Sequence, residues 1–300
     1  MTETPVKQSI SFSLAVENSP LSEVTAAYIE MGKGPVLLFL HGFSSDATIW
    51  STITLELQQS FRCICLDLLG FGGSSQLEGI DYRVESQVLF ATGFMTAMGI
   101  DHTFLVGHSL GGWITASLAI AMPEAVSGIV LLAPAGVAED LPRFSVLKPL
   151  SWETSIIDGL LNLSAPIARF LRQEVAIAQL RFIRQQFLTD PVFQAWMARA
   201  FRLEISDELV TDAIQDICAP TLIIAGAKDE MIPLWHCEYY HSKIPEATIE
   251  ILLEADHLLP TRNSGTITPM IYSFIDGVES DDCRSNPSEL IQDCPSRLIK

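Results

Sequence analysis

An uncharged stretch from His102 to Pro123 constrains the fold more than any other part of the chain. A run of this length without Asp, Glu, Lys or Arg could form a transmembrane helix. Three glycines interrupt it, however, and its first part is typical of a strand whereas its second part is typical of a helix. Basic flanks are also missing, since no Lys or Arg occurs between Arg83 and Arg143. We therefore interpret it as a buried strand, a tight turn and a buried helix.

The same alternation of strands and helices extends over most of the chain. Short apolar runs bounded by turn signals, such as Val36–Leu40, Gly128–Leu132 and Thr221–Ala225, are typical of strands buried on both faces. Segments with helical patterns separate these runs. Such alternation predicts an α/β fold with a mostly parallel, doubly wound sheet that has helices on both faces.

The alternation stops after Leu132. Residues 134–217 have a helical pattern with no clear buried strand, and the strand pattern resumes only at Thr221. We interpret residues 134–217 as a helical cap inserted into a core made of residues 1–133 and 218–278. Residues 279–300 are polar with few large apolar side chains, which predicts a flexible tail.

The charge balance excludes several classes of partner. The chain has 18 basic and 36 acidic residues, and its formal net charge is −18. Proteins that bind duplex nucleic acid neutralise phosphates with Lys and Arg, so we expect no nucleic-acid partner. No CxxC pair, zinc-like Cys/His spacing, G-x-G-x-x-G or P-loop occurs, so we expect neither a metal nor a nucleotide cofactor.

The N-terminal sequence MTETPVKQSISFS has no apolar segment of the kind found in a signal peptide. Cys63 and Cys65 lie in an apolar run, and we interpret them as small buried residues in a reducing compartment. We therefore expect a cytoplasmic protein without a transmembrane segment. Nothing in the sequence predicts its oligomeric state.

The turn inside the uncharged stretch carries the first chemical signal. Gly107-His108-Ser109-Leu110-Gly111 matches G-x-S-x-G, a pattern that is weak by itself because Gly and Ser are common. Here it follows the strand TFLV and precedes the helix WITASLAIA. Such a strand-to-helix turn strains the backbone of the serine and lifts its hydroxyl above the sheet edge. The sequence thus predicts Ser109 as a nucleophile.

With this turn in this setting, the chain resembles the α/β-hydrolase fold family over roughly residues 25–277. In that family the nucleophile, the acid and the histidine follow in this order along the chain. The resemblance implies that the acid and the base lie beyond the inserted segment. It also implies that this segment is a cap over the site that shapes the substrate pocket.

A serine needs a base, and position selects His257 among six histidines. It directly follows the last strand, IEILLEAD, at the carboxyl edge of the sheet where Ser109 is expected. One departure from the family is Asp256, where many relatives have Gly. The remaining histidines lie at less suitable positions: His41, His102, His108, His236 and His241.

The acid must orient the histidine and stabilise its charged form. Asp229 follows the strand TLIIAG in a loop, GAKDEMIP, that resembles the acid loop of the family. Glu230 is its nearest rival, and the alternative is a solvated carboxylate beside Lys228. Asp67 belongs to LDLLGFGGS, which matches a family turn that is usually structural.

The resemblance also implies two donors for the oxyanion of an acyl-transfer reaction. The first is the backbone N–H of Leu110, directly after the nucleophile. The second comes from the loop after an earlier strand, LFLHGFSSD, where Phe43 fits.

Three functions are compatible with these residues. The first is a serine hydrolase that cleaves an ester or related acyl bond of a small, apolar substrate, since the cap is rich in aromatic residues. Those residues could equally pack the cap's own interior. The second function uses the same triad as a carbon–carbon bond hydrolase, a thioesterase or an acyltransferase. The third is a non-enzymatic ligand receptor. Families of this fold that use an Asp nucleophile are excluded by Ser109.

Overall fold

The computed structural model describes residues 6–16, 21–138, 148–151, 156–159, 174–201 and 204–282. The chain forms two compact units. The first consists of Met1–Leu77, Val84–Val137 and Glu208–Lys300, and the second of Glu78–Arg83 and Ala138–Asp207. Residues 134–137 and 208–217, assigned to the cap from the sequence, therefore group with the first unit. Residues 78–83, assigned to the core, group with the second.

The first unit is built on an eight-stranded sheet with the strand order β1-β2-β4-β3-β5-β6-β7-β8. The strands β3 to β8 run parallel to one another, whereas β2 is antiparallel to both β1 and β4. Their bounds are β1 Gln8–Leu14, β2 Ser22–Met31, β3 Val36–Leu40, β4 Arg62–Leu66, β5 Thr103–His108, β6 Val126–Leu132, β7 Thr221–Gly226 and β8 Thr248–Leu252.

Helices cover both faces of the sheet. They are α1 Ser51–Leu57, α2 Val84–Ala97, α3 Leu110–Ala121, α6 Leu234–Lys243, α7 Leu259–Arg262 and α8 Ser264–Asp282. The labels α4 (Glu174–Thr189) and α5 (Pro191–Phe201) belong to helices of the second unit. The helical pattern of the sequence near Thr268–Asp276 lies inside the last helix, which extends beyond this pattern at both ends. It includes residues 279–282, which the sequence assigned to the tail, and residues 283–300 lie outside the described part of the chain.

The central strands are buried because side chains on both of their faces are apolar. Leu37 and Phe39 belong to a cluster that α1 and α8 complete with Ile53, Leu57 and Ile271. The alternate residues of these strands point to the opposite face, where α2 and α3 pack. Continuous apolar runs are therefore the signal of this sheet, as the sequence indicates.

The second unit contains two long helices in its described part, α4 at Glu174–Thr189 and α5 at Pro191–Phe201. Phe187 and Phe193 pack edge to face inside it, with ring centroids 4.8 Å apart. These two aromatic residues contribute to the unit's own interior. Trp196 in the same unit is half-buried. The other aromatic residues behind the expectation of an apolar substrate lie outside the described side chains: Phe144, Trp152, Phe170, Phe182 and Phe201.

Three cysteines, Cys63, Cys65 and Cys237, are buried free thiols. Cys218 is disulfide-bonded, and the expectation of a reducing compartment does not account for this bond. In the part of the chain that is described, none of the helices has the length and apolar character needed to cross a membrane.

Candidate active site

Ser109 lies in the sharp turn between β5 and α3. Its backbone has φ 56° and ψ −116°, a conformation that an L-residue adopts only under strain. Two glycines make the turn possible. A Cβ atom at Gly107 would lie 2.3 Å from the carbonyl oxygen of Gly111, and one at Gly111 would lie 2.0 Å from that of Leu40. The glycines of the motif are therefore required by close backbone approach.

The structure brings Ser109, His257 and Asp229 into one hydrogen-bonded chain. The Nε2 atom of His257 lies 3.0 Å from the Ser109 Oγ. Its Nδ1 atom lies 2.7 Å from Oδ2 of Asp229. Because the carboxylate only accepts, Nδ1 carries the proton and Nε2 is left with the lone pair that accepts from Ser109. All three residues are buried and belong to the first unit.

The acid loop holds Asp229 by its second oxygen. The backbone N–H groups of Met231 and Ile232 donate to Oδ1, each at 2.8 Å. Lys228 forms an ion pair with Glu254 instead of with this carboxylate. The neighbouring Glu230, the rival acid, is exposed. Asp229 is thus the carboxylate that contacts the histidine.

The loop that carries His257 is compatible with Asp256 in place of glycine. The φ angle of Asp256 is not in the left-handed region, so a side chain is accommodated without strain. Its Oδ1 atom accepts from the backbone N–H of Leu258 at 3.0 Å, and Oδ2 pairs with Arg262. The aspartate therefore fastens this loop to α7, through the residue before the helix and through its last residue.

The two predicted oxyanion donors belong to chain segments that lie next to Ser109. Leu110 is the first residue of α3, where helix geometry leaves the N–H groups without intrahelical partners. On the other side, a Cβ atom at Gly42 would lie 3.3 Å from the Ser109 Cβ, so the loop that carries Phe43 runs close beside the serine.

His41, which directly follows β3, anchors this second loop. Its Nε2 atom accepts from the backbone N–H of Leu68 at 3.0 Å, so the proton is on Nδ1, which donates to the Gly42 carbonyl at 2.7 Å. Burial lowers the pKa of His41 and keeps the ring neutral. Because a trans peptide directs its C=O and N–H to opposite sides, this bond turns the N–H of Phe43 away from His41.

Asp67, which directly follows β4, also holds this loop in place. Its contacts are the physical basis of the structural role that is expected for its turn. Its carboxylate is buried and accepts from the backbone N–H groups of Ala47 and Gly73, each at 2.7 Å. The ammonium of Lys7 lies 2.7 Å from Oδ2 and compensates the buried charge.

The structure also reveals a contact of His108 that the sequence interpretation missed. Its Nε2 atom lies 2.8 Å from the backbone carbonyl oxygen of His257. Residue spacing gives no signal for this contact, because the direction of a side chain on a tight turn is set by the folded surroundings. The remaining histidines lie elsewhere: His236 is buried in α6, and His102 and His241 are exposed.

No grouping of three or more His, Cys, Asp or Glu side chains in metal-binding proximity occurs within the described residues.

Known proteins resemble this chain over most of its length. A family model described as the alpha/beta hydrolase fold matches residues 35–260. A 2-hydroxymuconate semialdehyde hydrolase of a Pseudomonas species is 30% identical over 280 residues, covering 87% of this chain and 96% of that protein. A 2-hydroxy-6-oxo-2,4-heptadienoate hydrolase of Pseudomonas putida is 30% identical over 255 residues, covering 82% and 91%.

Among solved structures, a thermophilic esterase from Thermogutta terrifontis superposes with a TM-score of 0.69. It is 23% identical, and the match covers 90% of this chain and 99% of that one, which shows a shared fold. The family model spans most of the chain and includes the strained serine turn and the loops of Asp229 and His257. The chain therefore belongs to the α/β-hydrolase fold family.

Proposed function

We propose that this hydrolase cleaves an ester or related acyl bond of a small substrate through an acyl-enzyme formed on Ser109. One observation carries the proposal: the unbroken relay from the Ser109 hydroxyl through His257 to the buried Asp229. A serine hydroxyl attacks a carbonyl only when a base removes its proton, and this relay supplies a base in the required tautomer.

The first half of the reaction follows from these contacts. The Ser109 Oγ attacks the carbonyl carbon while its proton passes to Nε2 of His257. Asp229 remains ionised and stabilises the imidazolium through the Nδ1–H bond. The N–H groups of Phe43 and Leu110 are the proposed donors to the oxyanion, where fixed dipoles stabilise developing charge without reorganisation.

The second half uses the same groups in reverse. The imidazolium of His257 gives its proton to the leaving group as the tetrahedral intermediate collapses to the acyl-enzyme. A water molecule, deprotonated by His257, then attacks the acyl carbon and releases the acid. An apolar substrate remains a prediction from the composition of the second unit.

The test uses a fluorophosphonate probe and a panel of p-nitrophenyl esters of increasing chain length. We expect the probe to label the wild-type protein and Ser109→Ala to abolish both labelling and turnover. Ser117→Ala is the matched control, since Ser117 lies in the same helix and only donates to the Trp113 carbonyl. Labelling that survives in Ser109→Ala would contradict the proposed nucleophile.

A carbon–carbon bond hydrolase is the second candidate, and the two Pseudomonas relatives at 30% identity favour it. Both are named for the hydrolysis of unsaturated keto acids or semialdehydes rather than of esters. The Ser109 Oγ would attack a ketone carbonyl while its proton passes to His257. The carbon–carbon bond then breaks, and the carbon leaving group receives that proton from His257. A vinylogous diketone that is cleaved much faster than every ester in the panel would favour this candidate over the first.

Thioester hydrolysis and acyl transfer use the same acyl-enzyme, and they are distinguished by thioester substrates and by added alcohols as acceptors. A non-enzymatic receptor on this fold would bind a ligand without reacting with the fluorophosphonate. The intact relay argues for catalysis, since a receptor has no need of an activated serine.

A further inference from the structure

The His108 side chain lies between the loop that carries His257 and the loop that carries Phe43. Its ring is buried, with 3% of the residue exposed. The ring centroid is 4.8 Å from that of His257, and Nε2 is 2.8 Å from the His257 carbonyl oxygen. On its other side, Nδ1 would be 3.1 Å from a Cβ atom at Gly42. The ring thus contacts the loop of the base and the loop of the proposed oxyanion donor.

The contact with His257 determines which tautomer His108 adopts. A carbonyl oxygen only accepts, so Nε2 of His108 must carry the proton and donate it. The Nδ1 lone pair has no hydrogen-bond partner within the described part of the chain. The single hydrogen bond that this buried ring makes is therefore directed at the main chain of His257.

The ring of His108 stays neutral near neutral pH. Burial lowers the pKa of His108 to about 3, and the positive charge of a protonated His257 beside it acts in the same direction. His108 does not compete as a base, because its Nε2–H is committed to the carbonyl and its Nδ1 does not contact Ser109.

We propose that His108 is a positioning residue, whose Nε2–H holds the main chain of His257 so that the base remains within reach of Ser109. The proposal rests on the function proposed above. His108 precedes Ser109 in the chain, so the peptide bond, the His108 contact, the His257 ring and the Ser109 hydroxyl form a closed circuit. Asp229 fixes the ring of the base at Nδ1, and His108 fixes the backbone from which that ring extends.

Three substitutions separate the hydrogen bond from the volume of the side chain. His108→Gln can place an amide N–H near the position of Nε2. His108→Met fills similar space without a donor. His108→Asn has a donor, but its amide corresponds to the Nδ1 position and does not reach the His257 carbonyl.

The experiment measures the rate of fluorophosphonate labelling, and kcat and KM for the best p-nitrophenyl ester. For His108→Met and His108→Asn we expect the labelling rate and kcat to fall by about 10- to 100-fold, the scale set by misplacement of a reacting group. KM should stay nearly constant. His108→Gln should retain most of the wild-type rate. Thermal unfolding identifies any variant that does not fold. If either His108→Met or His108→Asn fails to fold, the other of these two variants, compared with His108→Gln, then decides.

Three results would overturn the proposal. The first is a His108→Met or His108→Asn variant that labels as fast as wild type. The second is a His108→Gln variant as slow as His108→Met, which would indicate a packing role. A rise in KM with unchanged kcat would also contradict it, since that would indicate a substrate contact. If the wild-type protein itself does not react with the fluorophosphonate, the proposed function fails. Positioning is then tested without turnover, by the low-field NMR resonance of the proton on His257 Nδ1. This resonance should be lost in His108→Met and retained in His108→Gln.

Discussion

The carboxylate of Glu208 accepts a hydrogen bond from the backbone N–H of Val84, the first residue of α2, at 2.8 Å. Both residues mark points where the chain re-enters the first unit after passing through the second. The backbone carbonyl of Glu208 also accepts from the indole N–H of Trp113 at 3.2 Å. Glu208 therefore joins the two points at which the chain re-enters the first unit. Through Trp113 it also links them to α3, the helix that follows Ser109.

We expect Glu208→Ala to lower the free energy of unfolding by about 1–2 kcal/mol, because the first N–H of α2 loses its cap. Urea denaturation measures the change. Asp212→Ala is the control, since Asp212 is an exposed acidic residue nearby. Equal stabilities of the two variants would show that the Glu208 contact contributes nothing.

Asp229→Asn tests the tautomer of the base. The amide oxygen can still accept from the N–H groups of Met231 and Ile232, which turns the amide NH₂ towards His257. That donor would force the proton of His257 onto Nε2, which then cannot accept from Ser109. We expect kcat to fall by about 10⁴-fold with little loss of folding stability. Glu230→Gln, at the exposed neighbour, should remain close to wild type in the same ester assay.

Gly111→Ala and Gly277→Ala form a matched pair within two helices. A methyl group at 111 would overlap the Leu40 carbonyl, whereas at 277, in α8, nothing lies within 4 Å. We expect Gly111→Ala to destabilise the protein and distort the serine turn. Gly277→Ala should stabilise it by up to about 1 kcal/mol through helix propensity. Thermal melting measures both variants. Melting temperatures that change in the same direction in both would contradict this prediction.

The buried neutral histidines predict how stability depends on pH. The pKa of His108 is 6.5 when unperturbed and about 3 in the folded chain. Between these values the unfolded state binds a proton that the folded state does not, so stability falls as the pH is lowered. The loss is about 1.4 kcal/mol per pH unit for each such histidine, and the lowered pKa of His41 acts in the same direction.

Urea unfolding of His108→Gln between pH 6 and pH 4 measures this contribution. The variant should lose stability less steeply than wild type by about that slope. His241→Gln, at an exposed histidine, is the control. An unchanged slope in His108→Gln would show that His108 is protonated in the folded state.

The sequence predicted those parts of the fold that depend on local pattern. The bounds of β3 at Val36–Leu40 and of α3 at Leu110–Ala121 agree with the apolar run and with the glycine turn before the helix. The helix expected near Thr268–Asp276 begins earlier, at Ser264, and contains Pro269 in its first turns. The proposed base and acid could be selected because parallel strands end at the same edge of a sheet.

Contacts between distant side chains were beyond the sequence. Glu208 caps a helix that lies 124 positions earlier, and His108 contacts a carbonyl 149 positions later. Neither contact follows from periodicity or from a motif, since both depend on how loops pack after the sheet has formed. The catalytic roles of Ser109, Asp229, His257 and the two oxyanion donors stay predictions for the experiments above.

The left-handed φ angle of Ser109 places a thermodynamic burden on the one residue that the proposed chemistry cannot replace. Such a conformation costs a non-glycine residue about 1–3 kcal/mol, and glycine adopts it freely. The proposed catalysis thus requires serine at this position, whereas folding stability favours glycine. In a homologue that is no longer selected for catalysis, a single change from Ser109 to glycine would increase the stability of the fold.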